Sequence, residues 1–577
     1  MIDFSSLEGE TLWERWQYFA QTTPDKEAII HWSAVEEPVR WTYSSLIETA
    51  NKFSLYLKNI GIKKGDVCAL IIRHNPYFYP LYLGITGIGA LPSVLAYPNP
   101  RLHPEKFSQG LEGMALRSGL DWILTETALE EMILPFVKNE KTTVNELYFP
   151  LEWNLEKELD SKSIQELSNI RAEIKPADPM LLQHSSGTTG LQKPVSLSHE
   201  AILNHVENYG KSINLSADDK IVSWLPLYHD MGLIAAYHVP LASGIPSIQI
   251  DPFEWVLAPI LLFMATSEEK ATLTWLPNFA YNLMADKLSD EELEDISLES
   301  LRMVCNCSEP VRSESHKKFH ERFQQYGFDK KALAAMYAMA ETTLAVSQTT
   351  PGEQAKEVSV DREMLANGTV ILTNDNSKKR VCVSSGKLLN ECSLKIVDES
   401  WNELSSEAVG EIAVKSISMF SGYRNYPEKT AEVLEEDGWF YTGDIGFVID
   451  EELYVIGRKK DIIIVAGNNI YPEDVEDIVS KVDKVIPGRI IAFGEDDPEL
   501  GTEQVSIVAE TKLNSEDDFD QLRVAILRAG MEINVNIHSL YIVPPRWLIK
   551  SSSGKPSRKA NRERILSRTD KKVWSKK

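Results

Sequence analysis

The segment Ser185-Ser-Gly-Thr-Thr-Gly-Leu-Gln-Lys193 places four hydroxyls, two glycines and a lysine within nine positions. Glycines let such a stretch curl until successive N–H groups face one concavity, and the hydroxyls and ammonium add further donors. That is the chemistry of a polyphosphate cradle. It is not a Walker A loop, because the GxxxxGK[ST] spacing is absent. The apolar run Met180–Leu182 precedes it, and a helical pattern over Ser198–Tyr209, with Ser198 as its cap, follows it. Taken alone, a polar Gly/Ser/Thr stretch also reads as an ordinary loop.

Other reactive types are scattered, and each has a plain structural reading beside its chemical one. Lys555 stands in Ser551-Ser-Ser-Gly-Lys555, within a basic tail of solvated charge. Asp444 follows Gly443, a pairing common in turns. His229 reads either as a pocket residue or as a satisfied core histidine. Cys305 and Cys307 lack further paired Cys or His nearby, so buried strand cysteines explain them better than a metal site. The run Gly84-Ile-Thr-Gly87-Ile-Gly89 is not GxGxxG, and neither HExxH nor GxSxG occurs.

The elements that must position these residues are those of a large α/β chain. At 577 residues the length implies about three or four folding units. Strand-like runs at Val67–Ile72, Pro92–Ala96 and Trp122–Thr125 alternate with helical patterns such as Ala50–Ile60, the signature of βαβ units. A second such series runs from Met180 to about Val346. From Val358 to Val448 the chain is strand-rich, with Val381–Val383, Ser393–Val397 and Glu411–Val414. After Lys460 an α+β pattern follows: Ile462–Val465, a helix over Pro472–Val482, Ile490–Phe493 and Val505–Glu510. The acidic Ser289–Glu299 reads as a solvated helix and loop.

Composition narrows the classes. Hydrophobic residues are 43% and charged residues 25%, ordinary for a folded chain. The net charge of −25 disfavours general nucleic-acid binding. Five cysteines cannot frame a disulfide scaffold, and the start MIDFSSLEGETLWERWQ lacks the basic and apolar stretches of a secretory signal, so the expected compartment is the cytoplasm. The charge-free windows Tyr77–Tyr97 and Met231–Ile250 contain glycines and prolines and read as helix, turn and buried strand rather than membrane spans. From Arg546 to Lys577 the sign inverts, with 12 Lys or Arg against two acids. That tail is either a solubilising terminus or a docking surface for an anionic partner.

Six ordered signatures, one of them split over two segments, decide between these readings by resemblance. The loop 185–193 resembles the phosphate-binding signature of the adenylate-forming superfamily: acyl-CoA synthetases, fatty acyl-AMP ligases, luciferases and adenylation domains. Its family form ends Pro-Lys-Gly, whereas here Gln192-Lys193-Pro194 stands, so Pro194 removes one N–H donor while Lys193 is kept. Trp224-Leu-Pro-Leu-Tyr228-His229-Asp230-Met-Gly232 is similar to the segment lining the acyl pocket. Asn306-Cys307-Ser308-Glu309-Pro310 resembles the adenine-stacking strand end, with Cys307 in place of a small glycine. Tyr337-Ala338-Met-Ala-Glu341-Thr342-Thr343 resembles the segment that stacks on adenine and ligates magnesium, with Ala338 for the usual glycine. Tyr441-Thr442-Gly443-Asp444 and Gly457-Arg458-Lys459-Lys460-Asp461 resemble the pair that holds the ribose hydroxyls. Lys550-Ser-Ser-Ser-Gly554-Lys555 resembles the segment that brings in the catalytic lysine.

The resemblance implies an α/β fold. Residues 1–459 would form a large N-terminal adenylation domain, with parallel-sheet subdomains at about 1–180 and 181–350 and a small β-barrel with an insertion at 351–459. Residues 460–577 would form a small mobile α+β lid, pivoting at Lys460. It implies ATP and Mg2+ as cofactors. Lys555, Lys193, Thr188 and His229 would be catalytic. Glu341 and Thr188 would hold the metal. Ser185, Ser186, Gly187, Thr188, Thr189, Gly190, Ser308, Glu309, Pro310, Tyr337, Ala338, Thr342, Asp444 and Arg458 would bind the nucleotide. Adenylation needs such groups because two anions, a carboxylate and a polyphosphate, must meet at the α-phosphorus.

Within the superfamily the chain looks most like a fatty acyl-AMP ligase. Trp224–Ile234, Pro277-Asn-Phe-Ala-Tyr281 and Ser308-Glu-Pro-Val-Arg312 have that character. The spacing from Glu341 to Gly386 is long, and Val360-Asp-Arg-Glu-Met-Leu365 is similar to the sequence of that family's insertion, which restrains the C-terminal domain. The resemblance therefore implies transfer of the acyl group to the phosphopantetheine of an acyl or peptidyl carrier protein. The alternatives are an acyl- or aryl-CoA ligase of the same fold and an inactive carrier-binding scaffold.

Overall fold

The computed structural model describes residues 1–98, 104–137, 142–184, 193–405, 407–465, 468–497, 501–550, 556–567 and 573–576. A 13-stranded sheet organises most of the chain. Its parallel part runs, in spatial order, Leu333–Ala338, Met303–Asn306, Leu273–Leu276, Ile221–Ser223, Ser247–Gln249 and Glu27–His31. These strands are buried almost throughout. That explains their unbroken apolar sequences, because helices cover both faces of a parallel sheet. Ala345–Gln348, Lys387–Leu388, Glu452–Arg458, Phe440–Ile449, Gly410–Ser416 and Cys392–Val397 run antiparallel on from one edge. A second, all-parallel sheet of four strands joins Leu91–Val94, Val67–Ile71, Trp122–Thr125 and Glu146–Tyr148.

The two charge-free windows resolve as expected. Tyr77–Tyr97 forms the helix Phe78–Thr86 and the strand Leu91–Val94, and Met231–Ile250 forms a helix through Ser243 and the strand Ser247–Gln249. Among the described residues no helix is long and apolar enough to cross a membrane. Ser198 caps the helix His199–Ser212 as its sequence position indicates, accepting from the Ala201 N–H at 3.1 Å. The five cysteines are free. Ser289–Glu299 is a correction: it is a series of turns without a helix, and the Ser289 hydroxyl and N–H both bond Glu292. Local side-chain bonds of that kind compete with helix formation. Residues early in the chain also cross over, since Glu27–His31 pairs with Ser247–Gln249 in the large sheet.

Past residue 460 a small α+β unit builds its own core. Strands Val485–Asp497, Thr502–Thr511, Ile537–Val543 and Trp574–Lys576 form one sheet, covered by helices Pro472–Ser480, Glu516–Glu532 and Arg558–Leu566. Residues 357–383 add a hairpin, Glu357–Asp361 against Lys379–Val383, with the short helix Arg362–Ala366 at its turn. Val360, Leu365 and Cys382 of this hairpin share one apolar cluster with Phe447, Ile456 and Tyr471. The hairpin thus lies where the antiparallel strands meet the C-terminal unit.

Candidate active site

Neighbouring parallel strands end together, and the loops that follow carry the signatures. Ile221–Ser223 leads to Tyr228 and His229, Met303–Asn306 to Ser308, and Leu333–Ala338 to Glu341. Ligands in open α/β sheets bind at that end. Two of these loops hold non-glycine residues at positive φ: Ser308 at 70° and Thr343 at 66°. A β-branched residue there is strained, and surrounding bonds must hold it. The Thr343 hydroxyl donates to Ser418 O at 2.8 Å.

One polar group forms around Asp444. Its strand pairs with Glu452–Arg458 so that Asp444 and Arg458 lie directly opposite each other. The Arg458 guanidinium stands 3.2 Å from the carboxylate, and the Tyr337 hydroxyl donates to the other carboxylate oxygen at 2.7 Å. Asp444 raises the Arg458 pKa still further, while burial and then the Asp444 charge push the Tyr337 phenol well above its usual range. Gly443 supplies the positive φ, 72°, that the preceding turn requires. A fixed carboxylate beside a guanidinium suits a diol such as ribose.

A second group forms around Glu341. The Tyr423 hydroxyl donates to Glu341 Oε1 at 2.7 Å, and Lys193 Nζ donates to the same phenol at 3.2 Å. The Lys193 ammonium also lies 4.6 Å from the centroid of the Tyr423 ring. The two groups feel each other: Glu341 contributes to the charge environment of Arg458. Burial, then Arg458 and also Lys193, lower the pKa of Lys460 in the turn Lys459–Asp461. Lys193, Tyr337, Glu341, Asp444, Arg458 and Lys460 therefore converge from positions spread over nearly half the chain.

The remaining expected residues fall into three kinds. Ser308 Oγ lies 3.7 Å from Met231 Sδ, which joins its loop to that of His229, whose ring packs 4.8 Å from Tyr228. Glu309 accepts from the Phe279 N–H at 2.8 Å, and so caps the helix Asn278–Lys287. Thr342 turns its hydroxyl to the Met339 and Leu344 carbonyls. Ala338 ends its strand beside this group, and Pro310 is exposed. Ser185, Ser186, Gly187, Thr188, Thr189, Gly190 and Lys555 lie outside the described residues.

A single buried carboxylate fits magnesium, which keeps several waters and binds through one or two carboxylates plus substrate phosphates. Glu341 offers that carboxylate, and its present partner is a neutral phenol that can yield it. Among the described residues no group of three or more His, Cys, Asp or Glu side chains is placed to hold a metal. Sequence reasoning missed Tyr423. Its only local signal is an aromatic residue after Gly422, and its partners lie 82 and 230 positions away.

Comparison with known proteins places the chain in a family. The chain is 29% identical to a putative acyl-CoA synthetase of Caulobacter vibrioides over 536 residues, 91% of this chain and 90% of that protein. It is 28% identical over 510 residues to the medium-chain-fatty-acid–[acyl-carrier-protein] ligase JamA of Moorena producens, covering 85% and 83%. The solved fatty acyl-adenylate ligase from L. pneumophila, in complex with acyl adenylate and pyrophosphate, superposes with a TM-score of 0.74 at 26% identity, covering 100% of this chain and 99% of that one. Residues 16–424 match the AMP-binding enzyme family. The resemblance carried by the six signatures thus holds, and the chain belongs to the AMP-binding enzyme family.

Proposed function

We propose that this enzyme activates a fatty acid with ATP to acyl-AMP, releasing pyrophosphate, and passes the acyl group to the phosphopantetheine thiol of a carrier protein. The observation that carries the first half is the convergence of Asp444 with Arg458 and of Glu341 with Lys193 at one end of the sheet. Asp444 and Arg458 would take the ribose hydroxyls, with Tyr337 fixing the carboxylate from behind. Lys193 would meet the phosphates, and Glu341 would hold magnesium, which supplies charge neutralisation between the two anionic reactants when bound. Holding the ribose fixes the α-phosphorus against the incoming carboxylate, and orientation of that kind accounts for much of such a rate.

The choice of acceptor rests on the hairpin 357–383. Arg380 of the hairpin forms an ion pair with Asp474 of the C-terminal unit at 2.9 Å and donates to Ile456 O at 3.0 Å. Asn469 Nδ2 donates to Ala366 O at 3.3 Å. These bonds restrain the C-terminal unit, as the fatty acyl-AMP ligase resemblance implies. A purified chain given ATP, magnesium and a panel of carboxylic acids is expected to release pyrophosphate with fatty acids. Thioester should then form on a phosphopantetheinylated carrier and not on free CoA. Robust acyl-CoA formation overturns the acceptor; silence with every acid overturns the whole reading.

A further inference from the structure

The short strand Gly422–Tyr423 and the residues before it touch both halves of the phosphate end of the site. The Phe420 N–H donates to Glu341 O at 2.8 Å. On the other side Gly422 and Tyr423 pair antiparallel with Ser196 and Val195, in the strand that follows Lys193, and the Arg424 N–H donates to Pro194 O at 2.9 Å. Pro194 opens that strand, a position where its missing N–H breaks no ladder. One backbone therefore sets the spacing between the turn of Glu341 and the start of the strand after Lys193. Between them stands the buried Tyr423 phenol, donating to Glu341 at 2.7 Å and accepting from Lys193 at 3.2 Å.

A lysine and a glutamate facing each other across a partly dry cleft close into a contact pair unless something stands between them. Once paired, each is spent on the other: the ammonium is less available to phosphate and the carboxylate to a metal. A phenol bonds both at once, because its oxygen accepts while its hydrogen donates, and it brings no charge of its own. We propose that Tyr423 is a positioning residue, a neutral spacer that keeps Lys193 and Glu341 apart and separately available. The inference rests on the reading that Lys193 meets the phosphates and Glu341 the metal. Tyr423→Phe keeps the ring, its packing against Phe420 at 5.0 Å and the face toward Lys193, and deletes only the bridging oxygen.

Calorimetric titration of the full chain tests this without turnover. The probes are magnesium with α,β-methylene ATP, and adenosine alone. Y423F is expected to weaken magnesium-nucleotide binding about tenfold, the scale of lost hydrogen bonds to charged groups, while adenosine binds as before. Lys193→Met should then cost less in the Y423F background than in the native one, because the collapsed pair has already withdrawn the lysine. Native chain that fails to bind the magnesium nucleotide overturns the underlying site reading. Native binding with an equal constant in Y423F, or losses that add independently in the double variant, overturns the spacer alone.

Discussion

Of the ion pairs that tie the helix Pro472–Ser480 and its end to the chain before residue 460, two are built differently. Arg380 and Asp474 are 10% and 14% exposed, and Arg380 also stacks 5.0 Å over Tyr471. Lys481 and Glu314, 3.3 Å apart, are 50% and 71% exposed. Arg312 adds a longer contact of 3.8 Å to Asp477 and donates to Glu473 O at 2.9 Å. Exposed pairs are screened and contribute little, whereas removing one member of a buried pair strands a charge. The C-terminal unit is therefore held firmly on the side of the hairpin and weakly on the side of the body helix Ser313–Phe323. Rotation against the body breaks weak contacts, while separation from the hairpin breaks a strong one.

The body and the C-terminal unit also differ in what acid does to them. Ten of the 11 histidines precede residue 460. Burial lowers His184, His199 and His316 to about 4, and His205 and His238 to about 3. The unfolded chain takes up these protons near pH 6.5 while the folded body refuses them. The contribution of these histidines is thus complete above pH 6.5 and is lost as pH falls from 6.5 through 4 to 3. Calorimetry from pH 7 to pH 5, above the ordinary carboxylate range, should show the body's transition falling steeply. A transition temperature flat across that window would contradict these assignments.

The next effect in size concerns the hairpin. Arg380→Ala leaves Asp474 buried without its cation and is expected to cost about 3–5 kcal/mol in denaturant unfolding. Arg380→Met, which refills the space, gives the control for packing. A loss below 1 kcal/mol for Arg380→Ala would erase the distinction between the two sides.

What the sequence shows and hides follows the same lines. The signatures were legible because each places its chemistry within a few contiguous residues, and Tyr337, Glu341, Asp444 and Arg458 do converge. The apolar windows were legible because parallel strands must be apolar on both faces. Tyr423 was not, since its role exists only after residues 193 and 341 have been brought together. The basic tail is the clearest lesson. Its charge count is real, yet Arg558 is committed to Asp461, Glu473 and Glu476, Arg562 faces Asp496, and Lys576 faces Asp520. Those acids lie tens of residues upstream, so for these three cations a local excess of charge becomes internal bonding on folding.

The two lysines proposed for the reaction divide in sequence between the body and the part past residue 460. Lys193 bonds within the body at Tyr423. Lys555, if it reaches the α-phosphate from the C-terminal unit, contributes only in the transition state. Lys555→Ala is expected to leave folding intact and to lower pyrophosphate exchange by at least about 100-fold, the typical loss for one preorganised donor. Near-native exchange would remove Lys555 from the reaction and leave the body as the sole source of charge.

Lys481→Ala tests the weak side. Its ammonium lies 3.1 Å from Asp477 as well as 3.3 Å from Glu314, so the intrahelical partner competes with the one across the interface. Both carboxylates remain hydrated when the lysine is gone, because neither is buried. The expected cost is about 0–1 kcal/mol and should shrink further in high salt. Measured beside Arg380→Ala in the same denaturant series, it separates a contact that anchors from one that merely rests. A loss comparable with that of Arg380→Ala would mean that the body grips the C-terminal unit as strongly as the hairpin does. The hairpin would then no longer support the carrier protein as the proposed acceptor.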